Sequence, residues 1–343
     1  MNRAFKIGAI VLGSSLGLLG IFIGVLYLVS KPAYQLPKTV SDDASLPQID
    51  LNGTRFHCLR FGSPDRPPVI VVHGGPGADS RYLLGLKALA DRYYVIFYDQ
   101  RGSGLSARVP SAQLTAEQAL DDLHAMVTHF GRGRPVRLIG HSFGAMLVAA
   151  YLGRHPQQVA QAVLAEPGFL TPAMGDELFK ATNGFLPPMT ARTLWLIART
   201  FFESRKLSLP DDDAADDYFV QKLIGVKDID LPTKGYFCGE TIRPELTTVW
   251  RMGGRAARLI ARSGMDAEGK HFVFDFSKNL KTFPRKVLLV ASSCNRLIGV
   301  VWQKRHLPLF HDVQLVVIPN AGHYMVAENP TATLAAIRQY FRN

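Results

Sequence analysis

Short apolar runs alternate with amphipathic stretches along most of this chain. The first two runs, residues 49–51 and 54–61, flank Asn52-Gly53, the dipeptide that tight hairpin turns favour, and they predict a hairpin. The later runs are continuous, as in strands buried on both faces, and span residues 68–73, 93–98, 136–139, 159–165, 286–291 and 313–318. Helical stretches occupy residues 80–91, 115–130, 142–154 and 331–341. Strands alternating with helices predict an α/β fold whose mostly parallel sheet carries helices on both faces.

One long interval interrupts this alternation. Residues 168–283 contain no strong buried-strand run and are rich in aromatic, proline and helix-forming residues, as in 194–202 and 218–224. An insert of this length between two strands predicts a helical cap, which in an α/β sheet covers the ligand site. The predicted core then consists of residues 48–167 and 284–343.

The N-terminal pattern differs from everything that follows it. Residues 7–30 are uncharged and mostly apolar, between Lys6 and Lys31, and this length suffices to cross a bilayer as a helix. A cleaved signal peptide has a shorter apolar region and a small-residue cleavage site, so the pattern favours an uncleaved single-pass anchor over residues 1–31. A buried core helix is disfavoured because the segment has no polar face. We expect an extracytoplasmic (periplasmic) domain joined to this membrane anchor by a tether, residues 32–47.

The composition is that of a large globular domain. Of the 343 residues, 47% are hydrophobic and 20% are charged, which excludes a disordered or fibrous chain. The formal net charge is +11, but Lys and Arg are dispersed, so we expect no nucleic-acid partner. A basic surface near an anionic membrane accounts for the charge more simply. Cys58, Cys238 and Cys294 have no metal-ligand spacing, and three buried thiols are favoured over one disulfide with one free thiol.

A G-x-S-x-G pentapeptide, residues 140–144, lies between a predicted strand and a predicted helix. Such a turn needs glycine on both sides because its backbone crowds its neighbours, and it exposes the Ser142 hydroxyl at a helix N-terminus. Residues 73–77, His-Gly-Gly-Pro-Gly, follow an earlier strand and can turn backbone N–H groups toward the same place. We expect the amides of Gly75 and Phe143 to form an oxyanion hole beside a nucleophilic serine.

A serine nucleophile needs a general base. His323 is the strongest candidate because it directly follows the last strand, at the sheet edge where Ser142 also emerges. His73 also lies at a strand end, but its position before the glycine turn suits a loop-shaping role. His141 is next to the serine and points away from it in a turn of this kind.

The acid that orients the histidine has more than one candidate. After the strand at 286–291, where an aspartate is expected, the chain has Asn295, which can accept a hydrogen bond but cannot offset the charge of an imidazolium. Glu166 closes a neighbouring strand and is the preferred acid, with Asn295 as a polar neighbour. A structural role for Glu166 stays open, and Asp312 is a third alternative.

Four features in this order across residues 50–343 resemble those of the α/β-hydrolase superfamily: the loops 73–77 and 99–104, the turn 140–144 and His323. The two loops are most similar to its proline-iminopeptidase-like branch. The resemblance implies an α/β-hydrolase fold with an inserted helical cap, and it implies roles for residues already named: nucleophile Ser142, base His323, and oxyanion donors Gly75 and Phe143. The usual aspartate is not carried over, because Asn295 stands in its place.

In the peptidase branch, carboxylates of the cap hold the free amine of the substrate. Carboxylates of the predicted cap that could do so include Glu203, Asp211, Asp212, Asp213, Asp216, Asp217, Glu240 and Glu245. A cluster such as residues 211–217 is more often a solvated helix start than an amine site.

Together these residues predict a membrane-anchored serine hydrolase that cleaves an acyl bond through an acyl-enzyme on Ser142. The partner is a small-molecule or short-peptide acyl substrate, and an apolar ester is favoured slightly over an N-terminal peptide because no specific amine-binding set stands out. No metal or organic cofactor is implied. The alternative is a non-catalytic ligand-binding protein of the same fold, in which Asn295 marks lost chemistry.

Overall fold

The chain folds around one eight-stranded sheet. The computed structural model describes residues 3–208, 211–227 and 230–342; positions 1, 2, 209, 210, 228, 229 and 343 of the predicted domains lie outside these ranges. The described strands are β1 (Gln48–Leu51), β2 (Thr54–Phe61), β3 (Pro68–Val72), β4 (Tyr94–Tyr98), β5 (Val136–His141), β6 (Val159–Ala165), β7 (Val287–Ser292) and β8 (Val313–Ile318). Their order is β1-β2-β4-β3-β5-β6-β7-β8, antiparallel from β1 through β2 to β4 and parallel elsewhere. The predicted α/β architecture with a mostly parallel sheet is confirmed.

Helices cover both faces of the sheet and fill the insert between β6 and β7. The α-helices are α1 (Arg3–Val29), α2 (Ala116–Gly131), α3 (Phe143–Arg154), α4 (Pro172–Ala181), α5 (Ala191–Ser204), α6 (Ala214–Ile224), α7 (Gly254–Ser263), α8 (Val300–Lys304), α9 (Met325–Glu328) and α10 (Pro330–Arg342). Segments of 3₁₀ helix are Arg81–Asp91, Ser111–Gln113, Pro156–Gln158, Asn183–Phe185, Pro232–Tyr236, Cys238–Glu240, Leu280–Thr282 and Leu307–Leu309.

The parallel register brings the carboxyl ends of four strands to one edge of the sheet. Val72 of β3 lies beside Gly140 of β5, and His141 of β5 lies beside Ala165 of β6. Ala165 in turn pairs with Val290 of β7. The residues that follow these strands, including the glycine loop, Ser142 and Glu166, therefore emerge next to one another.

A buried charge cluster fastens the insert to the rest of the chain. Arg251 is fully buried and donates to Asp217 of α6 at 2.7 Å and to Asp211. Asp217 also pairs with Arg108 of the core at 2.8 Å, and Arg251 donates to the carbonyl of Pro37 at 3.2 Å. The Arg251 guanidinium thus joins the insert to the segment that precedes β1. Asp217, which it holds, joins the insert to Arg108 of the core.

The N-terminal helix corrects one prediction. Among the helices in the described part of the chain, none combines the length and the apolar character that a bilayer crossing requires. The predicted anchor through residues 7–30, and the membrane location derived from it, are therefore wrong. The end of α1 instead packs against α5: Leu26 is buried, and the rings of Tyr27 and Phe202 meet edge-on with centroids 5.8 Å apart.

The cysteines also differ from the favoured expectation. Cys238 and Cys294 form a disulfide, and Cys58 is a buried free thiol on β2. Cys238 and Cys294 are 56 positions apart in the chain, so no local motif marked them as partners. The disulfide ties the loop after Tyr236 to the loop after β7, which carries Asn295.

Candidate active site

Ser142 stands at the apex of a strained turn between β5 and α3. Its backbone has φ 55° and ψ −122°, which L residues adopt rarely. The flanking glycines permit this turn: a Cβ on Gly140 would come within 2.5 Å of the Gly144 carbonyl oxygen, and one on Gly144 within 2.1 Å of the Val72 carbonyl oxygen. The turn presents Ser142 at the N-terminus of α3, as the pentapeptide predicts.

Ser142 opens into a cavity of about 240 Å³. Gly75 and Phe143, the two predicted oxyanion donors, border the same cavity. The Phe143 amide belongs to the first turn of α3, where N–H groups have no intrahelical partner and the helix dipole favours negative charge. The neighbouring Gly74 amide already donates to the Tyr82 hydroxyl at 2.7 Å, which leaves the Gly75 amide as the candidate from this loop.

Glu166, Asn295 and His323 form one buried hydrogen-bonded group. The His323 Nδ1 and the Glu166 Oε2 are 2.8 Å apart, and the Asn295 Nδ2 donates to the same oxygen at 2.7 Å. The other carboxylate oxygen accepts from the Ser292 amide at 2.7 Å and from its hydroxyl at 2.5 Å. Because an ionised carboxylate only accepts, His323 carries its proton on Nδ1 and its Nε2 is the basic nitrogen.

Burial sets the protonation of this group. Removal from water raises the pKa of Glu166 to about 7, against the hydrogen bonds from Ser292 and Asn295, which favour the ionised form. Burial also lowers the pKa of His323 to about 3. The imidazole is therefore neutral at neutral pH, which is the form that accepts a proton.

A hydrogen-bond chain connects the glycine loop with the candidate base. Tyr82 OH, which accepts from the Gly74 amide, lies 2.8 Å from His141 Nδ1. His141 Nε2 lies 2.8 Å from the His323 carbonyl oxygen. A carbonyl only accepts, so His141 is protonated on Nε2 and its Nδ1 accepts from the Tyr82 hydroxyl. Burial lowers the pKa of His141 to about 3, which keeps the ring neutral.

The structure therefore gathers the predicted site residues into two adjoining sets. Ser142, Gly75 and Phe143 border the cavity, whereas Glu166, Asn295 and His323 form the buried group. His141, the chain neighbour of Ser142, joins the two sets. Asp312, the third candidate acid, lies at the start of β8 with its carboxylate 3.9 Å from Lys286 and does not contact His323.

Three contributors were missed at the level of sequence. Ser292 donates twice to Glu166, Tyr82 holds His141, and the Tyr236 ring stacks on His323 with centroids 4.4 Å apart. Only Ser292 carried a signal in the sequence, since it directly follows the predicted strand 286–291 and lies three positions before Asn295. Tyr82 and Tyr236 are brought in by the tertiary fold. Among the described residues, no three His, Cys, Asp or Glu side chains are grouped as a metal site requires.

The model of the alpha/beta hydrolase family matches residues 69–337, more than three quarters of the chain. The chain belongs to the alpha/beta hydrolase family. Its relatives support the proline-iminopeptidase-like branch. It is 29% identical over 319 residues to the "Probable proline iminopeptidase" of Streptomyces coelicolor, covering 85% of this chain and 93% of the relative. It is 37% identical over 125 residues to the proline iminopeptidase of Heyndrickxia coagulans, covering 36% of this chain but only 43% of that relative.

The solved structures agree on the fold of this alpha/beta hydrolase. A thermophilic esterase from Thermogutta terrifontis superposes with a TM-score of 0.60 at 19% identity, over 87% of this chain and 97% of the esterase. The names of the relatives support a hydrolase of carboxylesterase-like or aminopeptidase-like kind. The alternative of a non-catalytic binding protein is accordingly set aside.

Proposed function

We propose that this hydrolase cleaves an ester or amide of a small-molecule or short-peptide substrate through an acyl-enzyme on Ser142. The observation that carries the proposal is the buried Glu166–His323 hydrogen bond, 2.8 Å long, joined through His141 to the serine turn. Acyl transfer needs a neutral, oriented imidazole as the base and an activated serine as the nucleophile.

Each bond change has a residue to carry it. The Ser142 hydroxyl passes its proton to His323 Nε2 while its oxygen bonds to the substrate carbonyl carbon, and the Gly75 and Phe143 amides hold the resulting oxyanion. The imidazolium, stabilised by Glu166, then protonates the leaving group as its bond to the acyl carbon breaks. Water repeats the sequence: its proton goes to His323, its oxygen releases the acid, and the proton returns to Ser142.

The insert is proposed to act as a cap over this chemistry. Elements α4 and α7 and the segment Asn183–Phe185 contribute to the cavity that Ser142 borders. Residues 168–283 would then shield the reacting groups from bulk water and select the substrate.

Labelling by a fluorophosphonate probe tests the nucleophile. We expect stoichiometric labelling of the full chain, lost in Ser142→Ala while the thermal unfolding temperature is kept. A folded wild-type protein that takes up no probe contradicts the proposal.

The acid is tested by comparing Glu166→Gln with Asn295→Ala. A neutral amide at position 166 cannot stabilise the imidazolium, so kcat should fall by about 10³–10⁴-fold. Asn295→Ala removes one hydrogen bond and should cost much less. If only the Asn295 variant is crippled, the acid has been assigned to the wrong strand end.

A further inference from the structure

The cavity beside Ser142 has an almost wholly apolar wall. Most of it consists of large hydrophobic side chains: Met146, Phe169, Leu178, Ile260, Phe272 and Phe276. Within the part of the chain that the structure describes, no Asp, Glu, Lys, Arg or His side chain lines it. A charged group that entered this space would lose its hydration and find no opposite charge in return.

The carboxylates of the insert are engaged elsewhere. Seven of the eight named above as candidates to hold an amine already pair with a cationic side chain: Glu203 with Arg199 and Lys222, Asp211 and Asp217 with Arg251, Asp213 with Arg255, Asp216 with Arg258, Glu240 with Arg296, and Glu245 with Arg243. None of them borders the cavity. The eighth, Asp212, borders a separate cleft together with Arg108 and Arg255.

One further carboxylate lies near the site but faces away from the cavity. Glu328 Oε1 has no hydrogen-bond partner among the described residues. It lies behind Gly322, where a Cβ would come within 2.9 Å of it, and not at the cavity wall. Among the residues that the structure describes, the wall of the cavity next to Ser142 therefore contains no carboxylate to hold a substrate ammonium.

We propose that this cavity binds the acyl part of the substrate as a neutral apolar chain and excludes acyl groups that carry a free amine. The inference rests on the proposed acyl-enzyme, whose acyl group would occupy this space. A cavity of about 240 Å³ has room for a short or medium-length acyl chain and limits how long that chain can be. The substrate class is therefore esters of medium-length aliphatic or arylaliphatic acids.

A matched pair of substrates isolates the amine. Methyl hexanoate and L-norleucine methyl ester have the same carbon chain and leaving group and differ only in the α-amine. We expect kcat/KM for methyl hexanoate to be about 100-fold higher, because the buried wall offers the amine no partner. Along a methyl ester series, kcat/KM should rise with the length of the acyl chain and then fall once the chain outgrows the cavity. Equal or better use of the norleucine ester overturns the inference.

A new carboxylate at the cavity mouth provides the converse test. Met265 borders the cavity and is partly exposed, so Met265→Glu can be accommodated without burying a charge. This variant should shift the preference toward the norleucine ester by about tenfold or more. The matched control is Val301→Glu, at a position 83% exposed on α8 and outside the cavity, which should leave the ratio unchanged. An unchanged ratio in a folded Met265→Glu protein counts against the assigned acyl site.

Failure of the inference can be told from failure of the proposed function. If Ser142 takes up the fluorophosphonate and hydrolysis depends on it, but amine-bearing esters are preferred, only the substrate class is wrong. If the folded protein is neither labelled nor active on any ester of the series, both are wrong.

Discussion

Glu166 has a positive backbone φ and a carboxylate that is buried away from water. Its φ is 44°, and its carboxylate is fully buried yet accepts hydrogen bonds from three donors of Ser292 and Asn295 in addition to its contact with His323. Burial favours the protonated acid and the donors favour the carboxylate, so the charge on Glu166 depends on how many donors remain.

This balance predicts the pH dependence of hydrolysis. Since burial raises the pKa of Glu166 to about 7, kcat/KM should rise with pH through that region as the carboxylate ionises. Ser292→Ala or Asn295→Ala removes a donor to the ionised form, so the pKa of Glu166 should rise further and the ascending limb should move to higher pH by about one unit.

The neighbouring serine provides the control for this pH profile. Ser293 is exposed and its hydroxyl accepts from the Asn320 amide, not from Glu166. Ser293→Ala should therefore leave the limb in place. A limb that stays fixed in Ser292→Ala and Asn295→Ala would mean that another group controls the profile.

The three candidate catalytic residues could be picked out from the sequence because each occupies a distinctive position after a strand. Ser142, His323 and Glu166 all follow continuous apolar runs, and parallel strands deliver their ends together. The donors Ser292 and Tyr82 were not reached, because a hydrogen bond to a buried group leaves no periodic trace in the chain.

At the scale of elements, the segment Arg81–Asp91 holds the glycine loop against β5. Tyr82 projects from this segment and joins the Gly74 amide to His141 at the end of β5. The apolar pattern predicted a helix here, and the segment is a 3₁₀ helix. A segment of only eleven residues is too short for its apolar pattern to distinguish an α-helix, with 3.6 residues per turn, from a 3₁₀ helix, with 3.0.

Removal of the Tyr82 hydroxyl, which links the Gly74 amide to His141, should affect turnover more than binding. Tyr82→Phe takes the donor from His141 and the acceptor from Gly74, so both the oxyanion loop and the His323 backbone lose a support. We expect kcat to fall about tenfold with little change in KM, and the free energy of unfolding to fall by about 1–3 kcal/mol.

A second buried tyrosine, Tyr98, provides the control that distinguishes a positioning role of the Tyr82 hydroxyl from a general packing effect. Tyr98 is also buried, but its hydroxyl has no partner among the described residues. Tyr98→Phe should leave kcat unchanged and cost little stability. Equal losses of kcat in the two variants would assign the Tyr82 effect to packing alone.

At the scale of the whole molecule, the buried Arg251 cluster decides how firmly the insert is attached. Arg251→Met leaves Asp217 and Asp211 without that partner, and Asp217 is fully buried. The free energy of unfolding in urea should fall by about 1.5–3 kcal/mol, because the buried Asp217 keeps Arg108 as a cationic partner but loses its hydrogen bond to Arg251.

The matched control for Arg251 lies on α7. Arg258 pairs with Asp216 at 2.9 Å, with both side chains largely exposed. Arg258→Met should cost no more than about 1 kcal/mol. A loss for Arg251→Met as small as that would contradict the role given to the buried cluster.

The global arrangement was only partly predictable. The sheet and its helices followed from continuous apolar runs, but the links between distant segments, such as Arg251 with Pro37 or Cys238 with Cys294, have no local signature. The apolar content of residues 7–30 predicted a membrane anchor, but no helix in the described part of the chain has the length and apolar character that a bilayer crossing requires.

The 2.7 Å contact between Asn295 and Glu166 bears on how chains of this family diverge. Asn295, after β7, reaches the same carboxylate oxygen of Glu166, after β6, that contacts His323 Nδ1, so an acidic side chain at either strand end would lie close to this histidine. An intermediate with acids at both positions is one substitution away. A comparison of family members that inspects only the residue after β7 would therefore overlook the carboxylate that contacts His323 in this chain.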